Sequence, residues 1–207
     1  MKRRSTPGSA APRPFAPMLT GVHMRSSLKR NPKPKGVRAA LAAVPADVRH
    51  AALTVHAALQ AQGIPHLLVG GLGVGARGYP RATKDADFLV ADEAFRVTPS
   101  GLVAGMRDGI PFPAVKRVAV DYLSPRTAGE AYALEQARGA TSLRAAPVEV
   151  LVGMKLAAGR ARDEGDIVEM LKAGANQKRI RAYLGAHAPA TLAAFNRLAE
   201  RADREAP

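Results

Sequence analysis

Residues 66–90 read HLLVGGLGVGARGYPRATKDADFLV, and the order of residue types in this stretch decides the fold. His66 to Val69 is a short apolar run ended by Gly70-Gly71, which predicts a buried strand, a glycine-rich turn and one or two helical turns. A second strand follows, opening on Asp85 and Asp87. Side chains alternate faces along a strand, so residues 85 and 87 point the same way. Two carboxylates side by side suit a hard divalent ion such as Mg²⁺, which takes oxygen ligands from one or two carboxylates plus phosphates and water. Glycines upstream leave backbone N–H groups open to phosphate oxygens. A phosphate cradle beside metal-binding carboxylates points to chemistry on a nucleoside triphosphate.

Outward from that stretch, Val48, Ala52, Val55 and Leu59 recur at spacings of four, three and four, marking one apolar face of a helical region from 37 to 62. Pro45 breaks that region and Gly63 ends it. Val115 to Leu123 reads as a third strand, with Val118, Val120 and Tyr122 on one face and Ala119 and Asp121 on the other. An aspartate late in an apolar strand is costly to bury without a partner. Between these strands, 91–112 is broken by Pro99, Gly101, Gly105 and Gly109 around a weak helical segment at 102–106. Ser124 to Gly139 reads as a loop and a short helix. Pro147 suits the first position of a helix that buries Val148, Leu151, Val152 and Leu156, with Lys155 beside that face. A break near Gly159 precedes a helix starting at Ile167, and two more are predicted over 177–184 and 190–202.

Composition narrows the function classes. The 207 residues carry a net charge of +14, with 31 Lys and Arg against 17 Asp and Glu. Residues 1–36 hold nine of those cations and no acid, which leaves 22 against 17, or +5, for 37–207. Together with its Pro, Ser and Gly, that makes 1–36 an expected disordered basic tail, suited to a polyanion or simply to solubility. The absence of Cys excludes disulfides and thiolate metal sites and agrees with a cytoplasmic location. No apolar run approaches bilayer-spanning length, so no membrane partner is expected. With no Trp and few aromatics, base-stacking platforms are scarce. His50 and His56 are six apart and share no helix face, which argues against joint metal ligation.

Gly73-Val-Gly75-Ala-Arg-Gly78 formally matches a dinucleotide-binding fingerprint, but only Tyr79 to Lys84 separate it from the next strand and Pro80 forbids the helix that fold requires. A D-x-D pair alone carries little weight. Its context carries more: Val69-Gly70-Gly71, a 13-residue spacer and Asp85-Ala-Asp87-Phe88. These residues resemble the signature of the DNA polymerase beta-like nucleotidyltransferase superfamily. Arg81-Ala-Thr83-Lys-Asp85 looks especially like its minimal and abortive-infection (AbiEii-type) toxin branches. Lys155 with Arg160, Arg162, Asp163 and Asp166 resembles a later segment of the same proteins; the likeness spans 65–171.

The resemblance implies an α+β fold with a mixed β-sheet flanked by helices over 37–145 and a helical C-terminal part over 146–207. It further implies Mg²⁺-dependent transfer of a nucleoside monophosphate from an NTP to a hydroxyl on RNA, tRNA included, or protein, with a cognate antitoxin as a partner. Two Mg²⁺ ions would stabilise the entering and leaving oxygens. Asp85, Asp87 and Asp121 would be the metal-binding and catalytic carboxylates, Asp121 deprotonating the acceptor or completing a second metal site. Gly70 and Gly71 would admit the triphosphate, although many relatives carry Ser where this chain has Gly71. Arg81 would meet phosphate or pair with Asp85, and Thr83 would share a face with Asp85 if the strand starts early. Lys155 would neutralise triphosphate charge. Arg160 and Arg162, with Asp163 and Asp166, would form either a salt-bridged helix junction or a nucleotide contact. The main alternative is a degenerate relative that binds nucleotide or RNA without turnover, or acts as a partner in a two-component system.

Overall fold

Strand alternation in 66–90 divides the molecule into two cores. A computed structural model describes residues 36–206, all within one compact unit; the expected basic tail, apart from Gly36, lies outside the described residues. Helices α1 (Val37–Ala42) and α2 (Ala46–Ala61) precede strand β1 (His66–Leu68), helix α3 (Gly70–Ala76) and strand β2 (Asp85–Val90). Next come β3 (Phe95–Val97), β4 (Val103–Met106), β5 (Ala114–Val115) and β6 (Val118–Leu123). Helices α4 (Ala128–Glu135), α5 (Val148–Ala158), α6 (Ala161–Lys172), α7 (Gln177–His187) and α8 (Leu192–Glu205) complete the chain. The main sheet is mixed, in the order β1-β2-β6-β5; β2 and β6 run parallel and the outer pairs antiparallel. A separate hairpin joins β3 to β4.

Leu68, Phe88, Val90, Val118 and Val120 point to one side and pack with Val48, Ala52, Val55 and Leu59 of α2, the helical face read from the sequence. Leu67, Val69 and Leu89 point to the other and share a core with α5 to α8. Asp85 and Asp87 have the parity of Leu89, so the sheet turns its carboxylates towards the C-terminal helices rather than α2. The α3 glycines explain why the dinucleotide reading fails. A Cβ at Gly73 would stand 3.0 Å from the Leu68 carbonyl oxygen, and one at Gly75 3.2 Å from Ala40 Cβ. Both are packing positions inside a buried helix. Arg77 then ties the end of α3 to the segment entering α5, its Nε and Nη2 donating to the Ala146 and Ala145 carbonyls at 2.9 and 2.7 Å.

Four sequence expectations are corrected. Residues 115–123 are not one strand: Lys116, at φ 55°, turns the chain back so that β5 pairs with β6. No glycine marks that turn, so the apolar alternation runs straight through it. Residues 102–106 are mostly strand β4, not helix; Gly105 at φ 145° and the Thr98 Oγ1 bond from the Leu102 N–H belong to a hairpin. Pro147 is the N-cap of α5 rather than its first residue. Gly159, left-handed at φ 64°, makes the foreseen break, but α6 starts immediately afterwards at Ala161 instead of Ile167. Among the described residues no helix is long and apolar enough to cross a membrane.

Phe88 is fully buried at the centre of the α2-side core. Phe88→Ala is expected to cost about 3–5 kcal/mol. Urea unfolding should show a lowered midpoint with an unchanged slope.

Candidate active site

The site begins where β1 ends. Gly70 takes φ 52°, a left-handed value that favours glycine, and a Cβ there would fall 1.6 Å from Asp87 Oδ2. Glycine is therefore required twice over, by the backbone and by the carboxylate lying against it. The Gly71 N–H donates to the Asp87 carboxylate, so this amide holds a protein acid rather than standing open to phosphate. A Cβ on Gly71 would meet Thr83 Oγ1 at 2.7 Å. Thr83 thus fills the space that a serine at 71 would need.

Thr83 precedes β2, yet its hydroxyl reaches Asp85, donating to Oδ1 at 2.5 Å. Parallel pairing sets Asp87 opposite Asp121. This register brings all three carboxylates to one sheet face, two on β2 and one on its neighbour. Asp121 is on a central strand, not an edge, and its side chain is exposed. Burial first, then the charges of Asp85 and Asp121, push Asp87 up to about 6, against the opposing effects of the Gly71 N–H and Lys155. Like charges on adjacent side chains oppose ionisation in this way. Among the described residues no group of three or more His, Cys, Asp or Glu side chains is set to hold a metal ion by protein ligands alone.

Opposite the carboxylates, α5 and α6 meet at a buried ion cluster. Lys155 Nζ donates to Asp163 Oδ1 at 2.7 Å and to Asp166 Oδ2 at 2.6 Å. Arg81 grips Asp166 with Nε and Nη2 at 2.8 and 3.0 Å, and Arg160 Nε bonds Asp163 Oδ2 at 2.6 Å. Burial raises the Asp163 carboxyl, but the hydrogen bonds from Arg160 and Lys155 outweigh it and hold the group below its ordinary value. Three cations around two acids leave the cluster at +1.

This arrangement changes several expected roles. Arg81 pairs with Asp166, not Asp85. Lys155 is committed to two aspartates, so its influence in the cleft is that of a fixed charge rather than a free ammonium. Arg160, Asp163 and Asp166 form the salt-bridged helix junction, while Arg162 is exposed and makes no ion pair. All ten sequence-derived site residues other than Thr83 line one cleft of about 450 Å³ between the sheet and the C-terminal helices, and Thr83 lies buried behind Gly71.

The same cleft contains residues the sequence reading left out: Arg126, Thr127 and Glu130 at the start of α4, and Tyr183 and His187 on α7. Thr127-x-x-Glu130 is a helix-capping pattern, the one signal by which part of this wall was readable. Elsewhere His56 Nδ1 meets His66 Nε2 at 2.7 Å, a partner for His56 that helix spacing alone does not reveal. No protein-family model matches this chain, and no curated protein does.

The Asp87 shift has a stability consequence with a fixed sign. In the unfolded chain the group titrates near 3.8; in the folded, metal-free protein it titrates near 6. The folded state therefore binds the proton more tightly, and stability falls as pH rises from about 4 to 6. Asp87→Asn is expected to stabilise the metal-free protein at pH 8 by up to about 3 kcal/mol, from roughly 1.4 kcal/mol per pKa unit. Near pH 4, where the carboxyl is protonated in both states, the gain should shrink towards zero. Urea unfolding in chelator at the two pH values measures the difference.

Proposed function

We propose that this protein is a metal-dependent nucleotidyltransferase that moves a nucleoside monophosphate from an NTP to a hydroxyl of RNA, tRNA included, or protein, in the manner of a toxin. The carrying observation is the register that sets Asp121 beside Asp87 on the face also used by Asp85, next to a glycine that tolerates no side chain. A nucleotidyltransferase-type sheet with helices closing over its acidic face is consistent with that register.

The donor set fits Mg²⁺: it is all oxygen, and it lacks enough protein ligands to hold an ion without help, as expected where substrate phosphates complete the shell. Asp85 and Asp87 would hold the ion, with Asp121 completing the acidic face. When bound, the ion supplies positive charge for the triphosphate and the departing pyrophosphate.

The chain's own residues supply the rest. Thr83 fixes one oxygen of Asp85, and the Gly71 amide fixes Asp87. The exposed Asp121 carboxylate takes the proton from the acceptor hydroxyl. That oxygen bonds to the α-phosphorus, the bond to the β-phosphate bridge breaks, and pyrophosphate leaves with the bonding pair. Arg162, unpaired, and Arg160, exposed beyond its bond to Asp163, offer guanidinium groups to phosphate. Together with Arg126 they give the cleft mouth the positive charge that a polyanionic acceptor requires.

A second reading is carried by Lys155. With its ammonium held by two aspartates, the site resembles one that binds nucleotide or RNA without turnover, as a partner component would. The two readings separate in one experiment. Incubated with α-labelled NTPs and total cellular RNA and protein, the wild type should label one fraction. Asp85→Asn and Asp121→Asn should each reduce labelling by at least about 100-fold, the scale on which single electrostatic groups act. Nucleotide binding without labelling of any fraction selects the second reading; full labelling by either variant removes the first.

A further inference from the structure

Glu130 is an acid in the cleft that the proposed chemistry does not use. It stands at the third position of α4 and is only 6% exposed. Its Oε2 accepts the Arg126 N–H at 2.6 Å, while its own N–H donates to Thr127 Oγ1 at 3.2 Å. One carboxylate oxygen is enough for that cap. The other, Oε1, has no hydrogen-bond partner, and no cation among the described residues lies within ion-pair distance of the carboxylate. No buried polar side-chain atom among the described residues lacks a partner, so Oε1 is open, and the space it borders is the cleft.

The surroundings hold this wall in place. Tyr183 is wedged between α4 and α5, where a Cβ on Gly129 would come within 2.5 Å of its ring and one on Gly153 within 3.2 Å. The Tyr183 hydroxyl is hydrogen-bonded with Thr127, and the His187 ring lies 4.7 Å from the tyrosine ring. The wall is thus rigid, polar and half-buried, with an unneutralised carboxylate oxygen in it.

In a cleft that takes a triphosphate, such a carboxylate repels phosphate and favours a group that donates hydrogen bonds. Of the parts of an NTP, the amino groups of adenine, guanine and cytosine donate, whereas uracil presents a carbonyl where cytosine has its amino group. We propose that Glu130 forms a nucleobase subsite and selects donor nucleotides whose base carries an exocyclic amino group. The proposal rests on the NTP-binding reading and adds to it a specificity-determining residue. Tyr183 and Thr127 position the carboxylate.

The test is calorimetric titration of the full chain with each of the four NTPs in the presence of Mg²⁺. Wild type should bind CTP at least about tenfold more tightly than UTP, two ligands that differ only in this amino-for-carbonyl exchange. Glu130→Gln retains an oxygen for the Arg126 N–H but presents an amide NH₂ to the cleft, so the ratio should fall towards one or invert. Equal binding of CTP and UTP by wild type overturns the subsite, whether or not the variant folds. An unchanged preference in a folded Glu130→Gln protein also overturns it. If no NTP binds at all, the failure lies in the underlying reading rather than in the assignment of Glu130.

Discussion

Three acidic side chains on one face of a parallel strand pair repel each other, and much of this structure answers that repulsion. Asp87 bears most of it, being the one most removed from water and flanked by both of the others. Two features of the chain ease the strain without removing it. The Gly71 amide donates to Asp87, and Lys155 adds a fixed positive charge nearby. Neither restores Asp87 to its ordinary range, so the apo site is short of positive charge. A fold that invests two glycines and a strand register in crowding carboxylates together is one whose acidic face has a cationic complement.

The second consequence concerns the C-terminal helices. Arg81 comes from the loop that leads into β2, Lys155 from α5, Asp163 and Asp166 from α6, and one ion cluster joins them. A buried pair of this kind contributes little net stability compared with apolar packing, but losing one member is severe because it strands a buried charge. Its structural effect is to lock the loop behind the carboxylates to the helices in front of them. Arg160, at the solvent edge of the cluster, is the member with room to reach a ligand. Lys155, expected to meet phosphate directly, instead sets the spacing between the two walls.

How far the sequence revealed this varies with the kind of signal. Period-two alternation placed Asp85 and Asp87 on one face, and the parity of Asp121 within its strand was read correctly even though the strand boundary was not. Adjacency of β2 and β6 was implied only through the family resemblance, because β3 to β5 intervene and no local pattern announces a non-sequential parallel pair. The Lys116 turn went unread because a lysine with positive φ has no compositional mark. Ion-pair partners were the least legible. Arg81 and Asp166 are 85 positions apart, and nothing in either segment favours that pairing over Arg81 with Asp85. The α4 wall was missed for a related reason: a capping glutamate looks the same in sequence whether its second oxygen meets solvent or a binding cleft.

The central claim is that the acidic face of β2 and β6 holds a divalent cation together with a triphosphate. Anomalous diffraction from crystals grown with Mn²⁺ and a non-hydrolysable NTP analogue tests it most directly. The account predicts a manganese peak within coordinating distance of both Asp85 and Asp87, with the analogue's phosphates completing the shell beside Gly70. Clear density for the analogue elsewhere on the protein, or an acidic face holding only water at saturating Mn²⁺, would contradict it.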